Sequence, residues 1–150
     1  MSDREETVVA HQAESERNKE IVQRFVEEVQ NQKNWTTFDE LNADDFVNLS
    51  APPGVPSDKE GGKMFLGAFI SAFPDSYVTI EDMVAEGDRV VTKKTFHGTH
   101  TGELNGIPPT GRRVSVQYVD ILRLRDGQIV EHWLSMDQLS FMQQLGVIAP

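Results

Sequence analysis

Apolar residues recur at three- and four-residue spacing in the first half of the chain and alternate in the second. From Asn18 onward, Ile21, Val22, Phe25, Val26 and Val29 mark one face of a helix. "NWTTFDELNADDF" predicts a second, short helix with Phe38 and Leu41 inward and Trp35 near its start. "FVNLS" reads as a short strand, stopped by the Pro- and Gly-rich loop "APPGVPS". Ser57 is the expected cap of a third helix, "DKEGGKMFLGAFISAF", with Met64, Phe65, Ala68, Phe69 and Ala72 on its buried side.

After Pro74 the period changes to two. "SYVTIEDMVAEG" and "DRVVTKKTFHGTH" form strands that meet near Gly87-Asp88. "TGELNGIPPTGR" is a long loop, and "RVSVQYVDILRL" and "QIVEHWLSM" are two further strands. A C-terminal amphipathic helix follows Asp137, its expected cap, and stops at Gly146. Helices followed by a strand meander indicate an α+β domain, with helices packed over the concave face of a curved antiparallel sheet. Residues 1–15 read as a flexible or loosely helical leader, and 16–150 as a single domain.

Composition narrows the function. The net charge of −10, with scattered basic residues, disfavours nucleic acid and anionic membranes as partners. No stretch approaches the roughly 20 apolar residues of a membrane span, and the polar N-terminus lacks a secretory pattern. A cytoplasmic protein is the simplest expectation. Cysteine is absent, which removes disulfides, thiolate metal sites and cysteine nucleophiles. His97, His100 and Glu103 have only loose metal-ligand spacing, so no metal is expected.

One charge breaks the strand pattern. Asp120 falls on the same face as Val114, Val116, Tyr118, Leu122 and Leu124. A carboxylate there is costly unless paired or used. The turn "LRDGQ" allows two registers. A two-residue Asp126-Gly127 loop sets Asp120 opposite Trp133. A three-residue loop sets it opposite His132, Leu122 opposite Val130, Tyr118 opposite Leu134 and Val116 opposite Met136. The second aligns the apolar faces and is preferred. It makes Asp120 and His132 a pocket-facing acid/base pair, or alternatively a buried pair that merely satisfies itself.

Three stretches, "FPDSYVTIEDMVAEGDRVV", "GTHTGELNGIPPTGRRV" and "VDILRLRDGQIVEHWLSMDQLSFMQQLG", resemble the SnoaL-like polyketide cyclase (ester cyclase) family. The resemblance implies the cone-shaped α+β barrel of nuclear transport factor two, a homodimer packed through its sheet, and no metal or organic cofactor. It also implies ring closure by intramolecular aldol condensation, with a pocket carboxylate as acid and base. The family's catalytic aspartate follows the tryptophan of the "EHW" run, where this chain has Leu134.

The expectation is therefore cofactor-independent acid/base chemistry on a small hydrophobic carbonyl compound. Asp120 would move the proton, His132 would tune or relay it, and Tyr118 would hydrogen-bond the developing oxyanion. His100 would close the pocket mouth, and Phe65, Phe69, Met83, Leu122, Leu134 and Met136 would line the pocket. Replacing Asp120 by Asn is expected to lower turnover and leave stability similar. Alternatives are epoxide hydrolysis, double-bond isomerisation, or a non-catalytic small-molecule binder or dimeric interaction module.

Overall fold

Seen in a computed structural model that describes residues 1–150, the N-terminal segment is helical from its third residue. Helix α1 spans Asp3–Arg24 and opens with a capping box, in which Ser2 and Glu5 each satisfy the other's backbone N–H. The stretch expected as a flexible or loosely helical leader lies within this helix. Ser15 accepts a hydrogen bond from the Gly87 N–H, and the Asn18 amide donates to the Gly87 carbonyl, both at 2.9 Å. These two bonds tie α1 to a turn of the sheet.

Helix α1 runs directly into a π-helical segment, Phe25–Asn31. Helix α2 (Trp35–Leu41), strand β1 (Asn42–Asn48) and helix α3 (Lys59–Ala72) follow. Asp58, not Ser57, caps α3, accepting from the Gly61 N–H at 2.9 Å. The inward face of α3 also differs from expectation. Met64 is 57% exposed and Ala68 is exposed, whereas Phe65, Leu66, Phe69 and Ile70 turn inward. An apolar helix with little polar contrast leaves its orientation to the packing partner.

Four long strands complete the sheet: β2 (Tyr77–Glu86), β3 (Arg89–Thr99), β4 (Arg113–Arg125) and β5 (Gln128–Met136). The sheet order is β1-β5-β4-β3-β2. All pairings are antiparallel except that β1 adds to the β5 edge in parallel. Helix α4 (Gln138–Leu145) is capped by Asp137 and ends at Gly146, whose φ of 77° suits glycine. The chain is a mixed α+β domain with helices over a curved, unclosed sheet, and no helix is long and apolar enough to cross a membrane.

The β4–β5 hairpin takes neither expected register throughout. Asp126 (φ 50°) and Gly127 (φ 79°) form a two-residue turn that pairs Arg125 with Gln128. A bulge follows, so that Leu124 meets Ile129 but Arg123 meets Glu131. Beyond it Leu122 faces His132, Asp120 faces Leu134 and Tyr118 faces Met136. The turn chemistry demands an odd register and burial demands an even one, and one extra residue satisfies both.

Alternate residues of β4, from Val114 through Leu124, are buried under the helices. Phe73, at the end of α3, sits at the centre of the larger core cluster. Gly98 makes room for it, because a Cβ at that position would lie 2.9 Å from Phe73 Cβ.

Candidate active site

Between the helices and the sheet lies a cavity of about 100 Å³, lined by 21 residues of which 14 are hydrophobic. Phe38, Phe46, Phe65, Phe69 and Phe96 give it an aromatic wall. Among the ionisable side chains, only Tyr118, Asp120 and His132 line it. Of the residues expected at the site, Phe65, Phe69, Leu122, Leu134 and Met136 also line it.

His100 does not line it. Its ring is fully buried, stacks on Phe73 at 5.2 Å and accepts a hydrogen bond from the Thr110 N–H through Nδ1 at 3.2 Å. The loop after β3 folds back over His100 and removes it from any pocket mouth. Met83 likewise packs against the second core cluster around Val22 and Leu122 instead of lining the cavity.

Asp120 is 2% exposed and has a second partner beside the expected His132. Its Oδ2 accepts from Lys94 Nζ at 2.8 Å and lies 3.4 Å from His132 Nε2. His132 is therefore a diagonal neighbour of Asp120 and not its direct partner, which is Leu134. Asp120 Oδ1 is buried without a hydrogen-bond partner. Thr92 Oγ1, on the residue facing Asp120 across β3–β4, is also unpartnered.

Burial pushes the Asp120 carboxyl up, but the Lys94 charge and the contacts with His132 outweigh it. The carboxyl is held below its ordinary range. Tyr118 moves in the opposite direction. Burial first, and the Asp120 charge second, raise its phenol well above the usual value, so the hydroxyl keeps its proton.

Lys94 and Gln30 complete the polar end, and neither was expected there. Lys94 is fully buried, with Nζ 5.7 Å from the Tyr118 ring centroid and 3.5 Å from Gln30 Oε1. Gln30 Nε2 in turn donates to the Tyr118 hydroxyl at 3.3 Å. The signal for Lys94 lay in the pair Lys93-Lys94: strand alternation with Val90 and Phe96 inward puts Lys94 inside. Gln30 reaches the cavity through the π-helical segment. That segment presents Phe25 and Gln30, five residues apart, to the same space. Polar spacing within an α-helical pattern carries no hint of this.

His97 lies apart from this cluster, stacked on Tyr77 at 4.5 Å and 3.0 Å from both Thr79 Oγ1 and Ser115 Oγ. His97, His100 and Glu103 form no metal-holding group.

The family model for SnoaL-like polyketide cyclase matches residues 20–145. Nogalonic acid methyl ester cyclase of Streptomyces nogalater is 29% identical over 110 residues, covering 72% of this chain and 82% of that protein. Aklanonic acid methyl ester cyclase DnrD of Streptomyces peucetius is 40% identical over 60 residues, 40% of this chain and 41% of that protein. The match thus spans about two fifths of the aklanonic acid methyl ester cyclases. Among solved structures, TsrD from Streptomyces laurentii superposes with a TM-score of 0.78 at 31% identity, covering 87% of this chain and 95% of that one. With a family match over most of the chain, and with the curved-sheet architecture of such relatives, the chain belongs to the SnoaL-like polyketide cyclase family.

Proposed function

We propose that this protein is a cofactor-independent enzyme that moves a proton next to a carbonyl group of a small hydrophobic compound. The observation that carries this reading is Asp120, a carboxylate with one oxygen unpartnered, among the residues that line an aromatic-walled cavity. A purely structural pair would have both oxygens saturated by protein donors. Here one oxygen is committed to Lys94 and His132, and the other has no protein donor.

The chemistry follows from the surroundings. Asp120 takes a proton from the carbon beside the substrate carbonyl, and the C–H electron pair becomes an enolate. The Tyr118 hydroxyl donates a hydrogen bond to the enolate oxygen. The enolate carbon attacks a second carbonyl of the same molecule, forming a carbon–carbon bond. Asp120 returns its proton to the resulting alkoxide, and His132 tunes the carboxylate throughout. Closure of a polyketide methyl ester fits this scheme and the names of the relatives. An apolar cavity with no unpaired cation favours a neutral ester over a free acid.

The second copy implied by family membership would pack on the outer face of the sheet. There Val84, Val91, Ile121 and Trp133 form one apolar row across four strands. Val84 and Trp133 are 57% and 41% exposed.

The test is deuterium wash-in, followed by proton NMR, at the carbon between the two carbonyls of an aryl β-keto ester, with aklanonic acid methyl ester assayed for ring closure. Asp120→Asn should slow exchange about 10²–10⁴-fold per folded molecule. Equal exchange in the two proteins would leave the cavity as a binding site only.

A further inference from the structure

We propose that Lys94 is the positioning residue of this site: a buried donor that fixes Asp120 as an acceptor and Tyr118 as a donor toward the cavity occupant. The site then favours a molecule that brings a proton donor to the Asp120 carboxylate and a carbonyl oxygen to Tyr118. This rests on the preceding reading only in taking the cavity as a ligand site.

Hydrogen-bond direction carries the inference. An ammonium group only donates. Lys94 Nζ therefore makes acceptors of both its neighbours, Asp120 Oδ2 at 2.8 Å and Gln30 Oε1 at 3.5 Å. With its carbonyl turned to Lys94, the Gln30 amide presents Nε2 to the Tyr118 oxygen at 3.3 Å. Tyr118 is thereby the acceptor in that contact, and its own O–H has no protein acceptor to serve. One arm ends in a free acceptor, Asp120 Oδ1, and the other in a free donor, the Tyr118 proton.

Lys94 is not among the residues lining the cavity, so it acts through its neighbours and not on the occupant. The charged and titratable groups around Asp120 are Lys94 from β3, Tyr118 from β4 and His132 from β5. Lys94 is the one lysine among them, with a side chain wholly shielded from solvent.

The proposal separates from the enzymatic reading because its readouts need no turnover. Protein labelled with carbon-13 at the Asp carboxyls, with Asp120→Asn to assign the signal, reports the Asp120 titration. In His132→Ala, where Lys94 is the remaining partner, the carboxyl should still titrate below the ordinary value of about 3.9. Titration at or above that value would overturn the proposal, because the imidazole would then be the group that holds the carboxylate. Lys94→Met should move the same titration upward by about one pH unit or more.

Two probes then test the donor and acceptor arms by fluorescence binding. The wild type should hold 2-naphthol and 2-acetonaphthone each about tenfold more tightly than naphthalene. Lys94→Met should lose the naphthol preference, and Tyr118→Phe the acetonaphthone preference. A Lys94→Met protein that keeps both the naphthol preference and the low carboxyl titration refutes the positioning role. If Lys94→Met does not fold, the His132→Ala titration and the wild-type probe preferences decide.

Discussion

Asp120 stands directly across the β4–β5 ladder from Leu134. Leu134 occupies the place at which the family resemblance puts a catalytic aspartate, so the carboxylate of this chain sits one strand away and faces the same cavity. Directly opposite side chains have Cβ atoms about 4.5–5.5 Å apart, so two carboxylates would not both ionise there without cost. Leu134→Asp should therefore raise a carboxyl pKa in the folded pair above its unfolded value. The variant's stability deficit, about 1–3 kcal/mol at neutral pH, should shrink as pH falls toward 5. Thermal melts at pH 5 and pH 8 measure it, and an equal deficit at both would mean that the new carboxylate escapes the pair.

The Lys94–Asp120 contact changes what Asp120→Asn should do to stability. Sequence alone predicts little effect, since it pairs the carboxylate with His132 and does not bring Lys94 to it. In the fold, the variant leaves a fully buried ammonium without its counter-charge. Removing one member of such a pair costs about 3–5 kcal/mol, whereas replacing both by apolar or neutral groups is often near neutral. Asp120→Asn should melt well below the wild type, and Lys94→Met/Asp120→Asn should recover most of the loss. The pH sign follows from the depressed carboxyl of Asp120. Its contribution is complete above the unfolded value of about 3.9 and is lost as pH falls through the lower folded value. The gap between wild type and the double variant should thus change only in the acid range, below about pH 4, in urea titrations followed by fluorescence.

Tyr118 should remain a proton donor through the alkaline range. Burial and the Asp120 charge both oppose tyrosinate. The chain has two tyrosines, so Tyr77→Phe isolates Tyr118. In that variant, absorbance at the tyrosinate band should stay flat until the protein unfolds at high pH. A smooth titration in the native state would remove Tyr118 as the oxyanion donor. Tyr118→Phe should lower turnover about 10²-fold, the size of one oxyanion donor lost.

Much of this architecture is written in the sequence, and what is not has identifiable causes. The switch from helical to strand spacing after Pro74, the Asp137 cap and the Gly146 stop each follow from local chemistry. Asp120 is conspicuous because one charge interrupts an alternating apolar face. The register was harder to read. Asp126-Gly127 favours a two-residue turn, burial parity favours the other register, and a bulge that reconciles them leaves its only trace in adjacent buried Ile129 and Val130. Lys94 is legible by parity, since alternation with Val90 and Phe96 inward turns Lys94 and not Lys93 toward the covered face. Gln30 is not, because its approach to Tyr118 depends on a π-helical segment that residue spacing does not announce.

The outer face of the sheet provides a test of assembly that is independent of the cavity. Trp133 faces Ile121 across β4–β5, Ile121 faces Val91, and Val91 faces Val84, on the side opposite Asp120. Exposed and half-buried apolar side chains aligned across four strands favour a partner surface of the same kind. A two-fold pairing of this row with itself would bury each member twice. Trp133→Glu places a carboxylate within that row, where desolvation and like-charge repulsion both act against association. Sedimentation equilibrium at micromolar protein should show a dimer for the wild type and a monomer for Trp133→Glu. Met64→Glu, on the exposed side of α3, should leave the dimer intact. A wild-type monomer, or a Trp133→Glu dimer of undiminished affinity, would show that the row has another use.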